Sequence, residues 1–196
     1  MRAYQELNEN YFEDIEEQVD RFREKHFELH TAGVSAALYQ HVLEKEFNYT
    51  IHKTDFKEYP ELKSLRSVLI PEKRLLLYNA KLTEQQKIFL FGREIGFEVL
   101  DLKKRPYTTS WVTVESFDHV INNFKASYFA QALHLKREFM VKDLENFFES
   151  SKFKTTFVKH LLTKYDASPE MLLTRFTNLL TKYFSINEVF FIRYSS

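Results

Sequence analysis

Thr83-Glu-Gln-Gln-Lys-Ile-Phe-Leu-Phe-Gly-Arg-Glu-Ile-Gly-Phe97 decides the fold of this chain. Thr83 followed by Gln86 is a capping box, in which the hydroxyl and the amide each satisfy one of the orphan donors at a helix start. The pattern predicts a helix over residues 84–100. Its apolar residues, Ile88, Leu90, Phe91, Ile95 and Phe97 among them, occupy most sides, so this helix belongs in a core. Two charged residues, Arg93 and Glu94, stand in the middle of it. Charge in such a place needs a reason.

Working outward, Ser67-Val-Leu-Ile70 and Leu75-Leu-Leu-Tyr78 flank Pro71-Glu-Lys-Arg74, a hairpin pattern. Asn48-Tyr-Thr-Ile-His52 reads as a further short strand. Residues 4–30 place Tyr4, Leu7, Tyr11, Ile15, Val19 and Phe22 three or four apart between charges, which predicts one long amphipathic helix ended at Gly33. Residues 34–47 continue as a second helix. Downstream, residues 101–110 read as a basic loop, and helices are expected over 116–136, 141–149 and 155–165. Ser168-Pro-Glu opens another helix to Phe184, with Ser as cap and Pro at the first helical position. Residues 189–194 read as a closing strand. The fold class is therefore α+β: mostly helical, with a small antiparallel sheet and a long N-terminal helix.

The 196 residues suit one domain, or one domain with a helical arm, and 20 Phe with 11 Tyr favour a bulky aromatic core. Lys+Arg and Asp+Glu balance at 28 each, so no global field draws the chain to nucleic acid or membrane. Residues 1–30 are acid-rich and residues 151–196 base-rich, which reads as two solvated faces, with an end-to-end self-association contact as the alternative. The absence of Cys excludes disulfides, thiolate metal sites and Cys nucleophiles. The first residues form no signal peptide and no apolar run reaches membrane-spanning length, so a cytoplasmic protein without membrane contact is expected. No P-loop, dinucleotide fingerprint or G-x-S-x-G occurs.

The chemistry of Arg93-Glu-Ile-Gly-Phe97 is defined by comparison with an H-E-x-x-H helix. There, two imidazoles on one helix face meet a zinc ion, and the glutamate beside the first is the general base. This chain keeps the glutamate as Glu94 and has Arg93 and Phe97 in the His places. A guanidinium has no lone pair to give, and a phenyl ring has no donor atom. The element order, the segment from Pro71 to Gln86, and Lys125-Ala-Ser-Tyr-Phe-Ala-Gln-Ala-Leu133 together resemble the ImmA/IrrE family of metallopeptidase-like domains over most of residues 34–135. The resemblance implies a zincin-like fold and a third zinc ligand from an acid a few positions before Ala126. Asn123 stands there, a poor ligand. The expectation is no metal, no cofactor and no catalysis.

Residues 168–193 are similar to the segment that follows this domain in longer bacterial regulators. Those join a repressor-type helix-turn-helix to an ImmA/IrrE-like domain, and some are grouped as short-chain fatty-acyl regulators. The resemblance implies a non-catalytic sensory or assembly module of a transcription regulator. It would contact DNA only through a helix-turn-helix outside this chain, because the helix before Gly33 is too acidic to face phosphate. The expected layout is a helical arm at 1–33, the degenerate peptidase domain at 34–136, and a helical extension at 137–196 packed on the same core. The expected partners are a second copy of the chain, through the stripe on residues 4–22, and a small acyl or anionic effector.

Arg93, Glu94, Phe97 and Asn123 are the candidate ligand-binding residues. Each carries a plainer reading. Glu94 is either a relic of the general base or a paired buried carboxylate; Arg93 is either an anion receptor or that carboxylate's partner. Phe97, extended by Phe124 and Phe129, either walls a cleft or plugs it. Gly92 and Gly96 mark close helix packing or the floor of a site. Lys103-Lys-Arg105 reads as solvated loop. His26 and His30 have metal-competent spacing but no third ligand nearby. Two rival functions remain: a peptidase with atypical ligands such as His119 or His134, and a purely structural dimerisation module.

Overall fold

The computed structural model describes residues 2–27, 33–56, 62, 64–108, 116–149 and 155–189. The chain divides into two compact units, residues 34–130 and residues 1–33 with 131–196. The fold is α+β.

In the unit of residues 34–130, helix α3 (Ala36–Glu46) begins at Ser35, whose hydroxyl accepts from the backbone of Leu38. Strands β1 (Thr50–Thr54), β2 (Ser67–Ile70) and β3 (Leu75–Asn79) follow. The hairpin β2–β3 is antiparallel, and its turn is a short 3-10 segment closed by Arg74 in the left-handed region. The expected all-antiparallel sheet is corrected by β1, which runs parallel along the other edge of β3 and makes the sheet mixed, in the order β1-β3-β2. A strand that enters from a helix has no tight turn to force it antiparallel.

Helix α4 (Glu84–Val99) carries the full capping box: Gln86 N–H donates to the Thr83 hydroxyl, and Thr83 N–H donates to the Gln86 side-chain oxygen. It packs between α3 and α5 (Phe117–His134) with Ile88, Phe91, Ile95 and Phe97 buried. Gly96 allows the closest approach. A Cβ there would lie 2.9 Å from the backbone oxygen of Ala126 on α5 and 3.1 Å from Phe129 Cβ. This favours the packing reading of Gly92 and Gly96, and it places Phe129 in the core with no exposure. Asp101, at φ 51°, then reverses the chain, with Leu102 N–H donating to Phe97 O.

The returning loop is held to the outer edge of β2. Leu69 N–H donates to Tyr107 O at 2.8 Å, and Thr108 bridges Val68. That fastening aims the loop residues before it at α4.

In the other unit, the single long helix expected over residues 4–30 is two helices, α1 (Arg2–Leu7) and α2 (Glu13–His26). Glu9 and Asn10 take positive φ between them, a conformation Asn tolerates, and Asn8 closes α1 on Tyr4 O. Of the stripe, Tyr11, Ile15, Val19 and Phe22 are buried within the chain, Tyr4 is half-buried and Leu7 is 85% exposed. The remaining helices are α6 (Arg137–Glu149), α7 (Thr155–Tyr165) and α8 (Pro169–Phe184). Helix α8 starts on its Ser168 cap as expected. Helix α6 begins four residues earlier than expected, at Arg137, directly after α5 ends.

Glu16 on α2 and Arg175 on α8 form a bidentate pair with essentially no exposure, and Arg175 Nε donates to Leu135 O at 3.0 Å. Arg137 adds hydrogen bonds to Tyr11, Glu13 and Asp20 at 2.6–2.8 Å. The acid-rich start and base-rich end therefore meet inside one unit at the Glu16–Arg175 pair. Residues 190–194 of the strand expected at 189–194 and the His30 half of the His pair lie outside the described residues.

Candidate functional site

Arg93, Glu94 and Phe97 lie on α4 and Asn123 on α5, and the fold brings all four to one cluster. Glu94 is 1% exposed and Phe97 2%. A carboxylate buried that deeply must be paired, and its partner is Arg105 from the returning loop, whose Nη2 donates to Glu94 Oε2. The same guanidinium lies 3.9 Å from the Phe97 ring centroid, a cation–π stack in a desolvated place. One face of the Phe97 ring thus carries Arg105. The Tyr49 hydroxyl donates to Glu98 Oε1 at 2.8 Å and accepts from Arg105 Nη1 at 3.3 Å.

Arg93 is held far more loosely. Its Nη2 is 3.7 Å from Glu94 Oε1, and its Nη1 reaches Asn123 Oδ1 at 3.5 Å. Its Nε is buried with no acceptor. Burial pulls its pKa down, Glu94 opposes that, and Arg105 and Arg66 add to the fall. Arg105 moves the other way: burial alone would lower it, but Glu94 and Tyr49 raise it overall. Burial and the Glu94 charge push the Tyr49 hydroxyl well up, so it stays a donor.

Sequence reading misses Arg105, Tyr49 and Glu98. It takes Lys103-Lys-Arg105 as solvated throughout; Lys103 and Lys104 are exposed, but Arg105 is buried. The signal lies on α4. Glu94 and Glu98, four apart on a largely apolar helix, share a face that Arg93 does not, and they demand a cation from another segment.

The residues of the rival peptidase reading stand as follows. His134 is fully buried and its Nε2 donates to Tyr165 O at 2.7 Å, while His119 lies in the first turn of α5, its backbone N–H donating to the Ser116 hydroxyl at 3.4 Å. Among the described residues no group of three or more His, Asp or Glu has metal-holding geometry. What the central cluster can do chemically is bind charge. It holds two buried guanidiniums, one buried carboxylate and a neutral phenol.

No family model matches the chain. No curated protein matches it either. Among solved structures the chain is similar to a Mycobacterium tuberculosis transcriptional regulator, with a TM-score of 0.67 and 14% identity. The likeness covers 93% of this chain and 52% of that one, so this chain spans about half the regulator's length. At that identity the likeness is one of fold, and it extends over nearly all of the chain. The fold is one that a bacterial transcriptional regulator contains.

Proposed function

We propose that this chain is a non-catalytic regulatory module of a bacterial transcription regulator, related in fold to ImmA/IrrE-like domains, and that its input arrives at the Arg93–Glu94–Asn123 cluster. The observation that carries the reading is the position of Arg105. A general base must reach the proton it abstracts. Glu94 is instead neutralised by a guanidinium that also covers Phe97. The regulator-like fold supports the regulatory half of the reading. DNA contact belongs to a helix-turn-helix outside this chain. Effector binding is favoured over dimerisation through the N-terminal helix, because the stripe from Tyr11 to Phe22 is already buried and only Leu7 of it is strongly exposed. No helix among the described residues is long and apolar enough to cross a membrane, in keeping with a cytoplasmic regulator.

The test is made in the source cell on the full-length gene and its deletion. Deleting the gene should change a defined set of transcripts, and the tagged protein should occupy the corresponding promoters. The proteome's cleavage products should be the same for wild type and Glu94→Ala. Promoter occupancy that is absent, or cleavage products lost with Glu94→Ala, would overturn the reading.

A further inference from the structure

The charge arithmetic of the cluster is uneven. Arg105 has Glu94 in close contact and Glu98 at 3.9 Å, and Arg74 shares Glu98 at 3.5 Å. Arg93 stands at the other end of this chain of charges with a 3.7 Å share of a carboxylate that Arg105 already holds. Two guanidiniums, each nine-tenths buried or more, therefore compete for one fully buried acid. A buried guanidinium without its counter-charge is costly, and its five donors are a fork suited to an oxyanion. Asn123 faces the same guanidinium and is only half-buried, so this edge of the cluster is not sealed as the Glu94 edge is.

We propose that the Arg93 guanidinium, with the Asn123 amide beside it, binds a small oxyanion, carried either by a carboxylate or by an inorganic phosphate. This rests on the reading of the cluster as the module's input site and names the chemistry of that input. The anion completes the charge balance that Glu94 alone cannot supply. It accepts from the Arg93 Nη groups, and the Asn123 amide can turn its N–H2 toward the second oxygen. The Arg105–Glu94 pair stays in place and separates the anion from the acid.

The experiment uses the whole chain. Thermal unfolding is followed in sodium acetate and in sodium phosphate against sodium chloride of equal ionic strength. At about five times its Kd a ligand raises the folded-to-unfolded ratio about six-fold, which for a chain of this size lifts Tm by roughly 2–4 °C. That rise is expected for the wild type with acetate, phosphate or both, and which arm responds identifies the source of the oxyanion. Arg93→Gln should abolish it. Asn123→Asp supplies the missing negative charge from within, so it should raise Tm in chloride and remove the response. This variant also decides the matter if Arg93→Gln does not fold. A wild type that responds to neither anion beyond chloride would overturn the proposal, as would an unchanged response in Asn123→Asp or in folded Arg93→Gln. Either result would leave the regulatory reading standing, since that reading fails on promoter occupancy or peptide cleavage.

Discussion

Glu94→Gln should destabilise the chain more than Arg105→Met, although the two residues form one ion pair. Breaking a buried pair by removing one partner costs about 3–5 kcal/mol, because the other charge is left uncompensated. Glu94→Gln leaves two guanidiniums, Arg93 and Arg105, around a neutral amide, so it should fall in that range. Arg105→Met leaves Glu94 with Arg93, whose Nη2 is already 3.7 Å away and need move only about an ångström to close on it. Met also keeps apolar contact with the Phe97 ring, giving up only a cation–π term of about 1–2 kcal/mol. A loss of about 2–3 kcal/mol is expected for Arg105→Met. In Tm this is a fall of roughly 6–20 °C for Glu94→Gln against roughly 4–12 °C for Arg105→Met. Urea unfolding followed by far-UV circular dichroism measures the difference, with amide exchange on α4 as the local readout. The double variant should cost about 1–3 kcal/mol less than the sum of the singles. An Arg105→Met variant as unstable as Glu94→Gln, or strict additivity, would refute the idea that Arg93 is an under-used second partner.

Four further variants test the packing. Thr83→Ala removes one half of the capping box of α4 and should cost about 1 kcal/mol by urea unfolding. Gly96→Ala should cost about 1–3 kcal/mol, because its Cβ meets a backbone oxygen at 2.9 Å that cannot step aside. Gly92→Ala, whose nearest neighbour is the Ala130 methyl at 3.2 Å, should cost less in the same assay. Burial lowers the pKa of His134 from its ordinary 6.5, with hydrogen bonds to the Tyr165 and Asp166 backbone opposing the fall. The unfolded state then binds the proton first, so this stabilisation is complete above 6.5 and is lost as pH falls below it toward the folded pKa. His134→Gln should therefore show a shallower loss of stability than the wild type between about pH 7 and about pH 5.

Local chemistry makes the elements legible where a short motif dictates them. The Thr83–Gln86 box, the Ser168-Pro169 start and the Pro71–Arg74 turn each satisfy or withhold backbone hydrogen bonds within a few residues, and all three are where the pattern places them. The N-terminal helix is less legible. Its apolar spacing runs unbroken from Tyr4 to Phe22, and the positive φ values at Glu9 and Asn10 that divide it carry no glycine to announce them. The parallel placement of β1 is a tertiary choice, which strand periodicity cannot express. Arg105 is the same kind of case. Three successive basic residues look alike in sequence, and only the fastening of Tyr107 to the β2 edge turns the third of them inward.

The site is readable as a demand, while its supply is not. Glu94 in an apolar helix requires a cation, and Arg93 beside it is the obvious candidate in one dimension. Adjacent residues on a helix point about 100° apart, however, and cannot face each other well. The 3.7 Å separation of Arg93 and Glu94 is the result. A guanidinium from another segment meets the carboxylate squarely, and Arg105 does so while stacking on Phe97, nearly one turn further along the helix. Once Arg105 holds the acid, Arg93 is a buried cation with a weak claim on a partner already taken. The same geometry that pairs Glu94 with Arg105 therefore leaves a poorly compensated charge in the cluster, and under the oxyanion proposal that charge is where an anion would gain free energy.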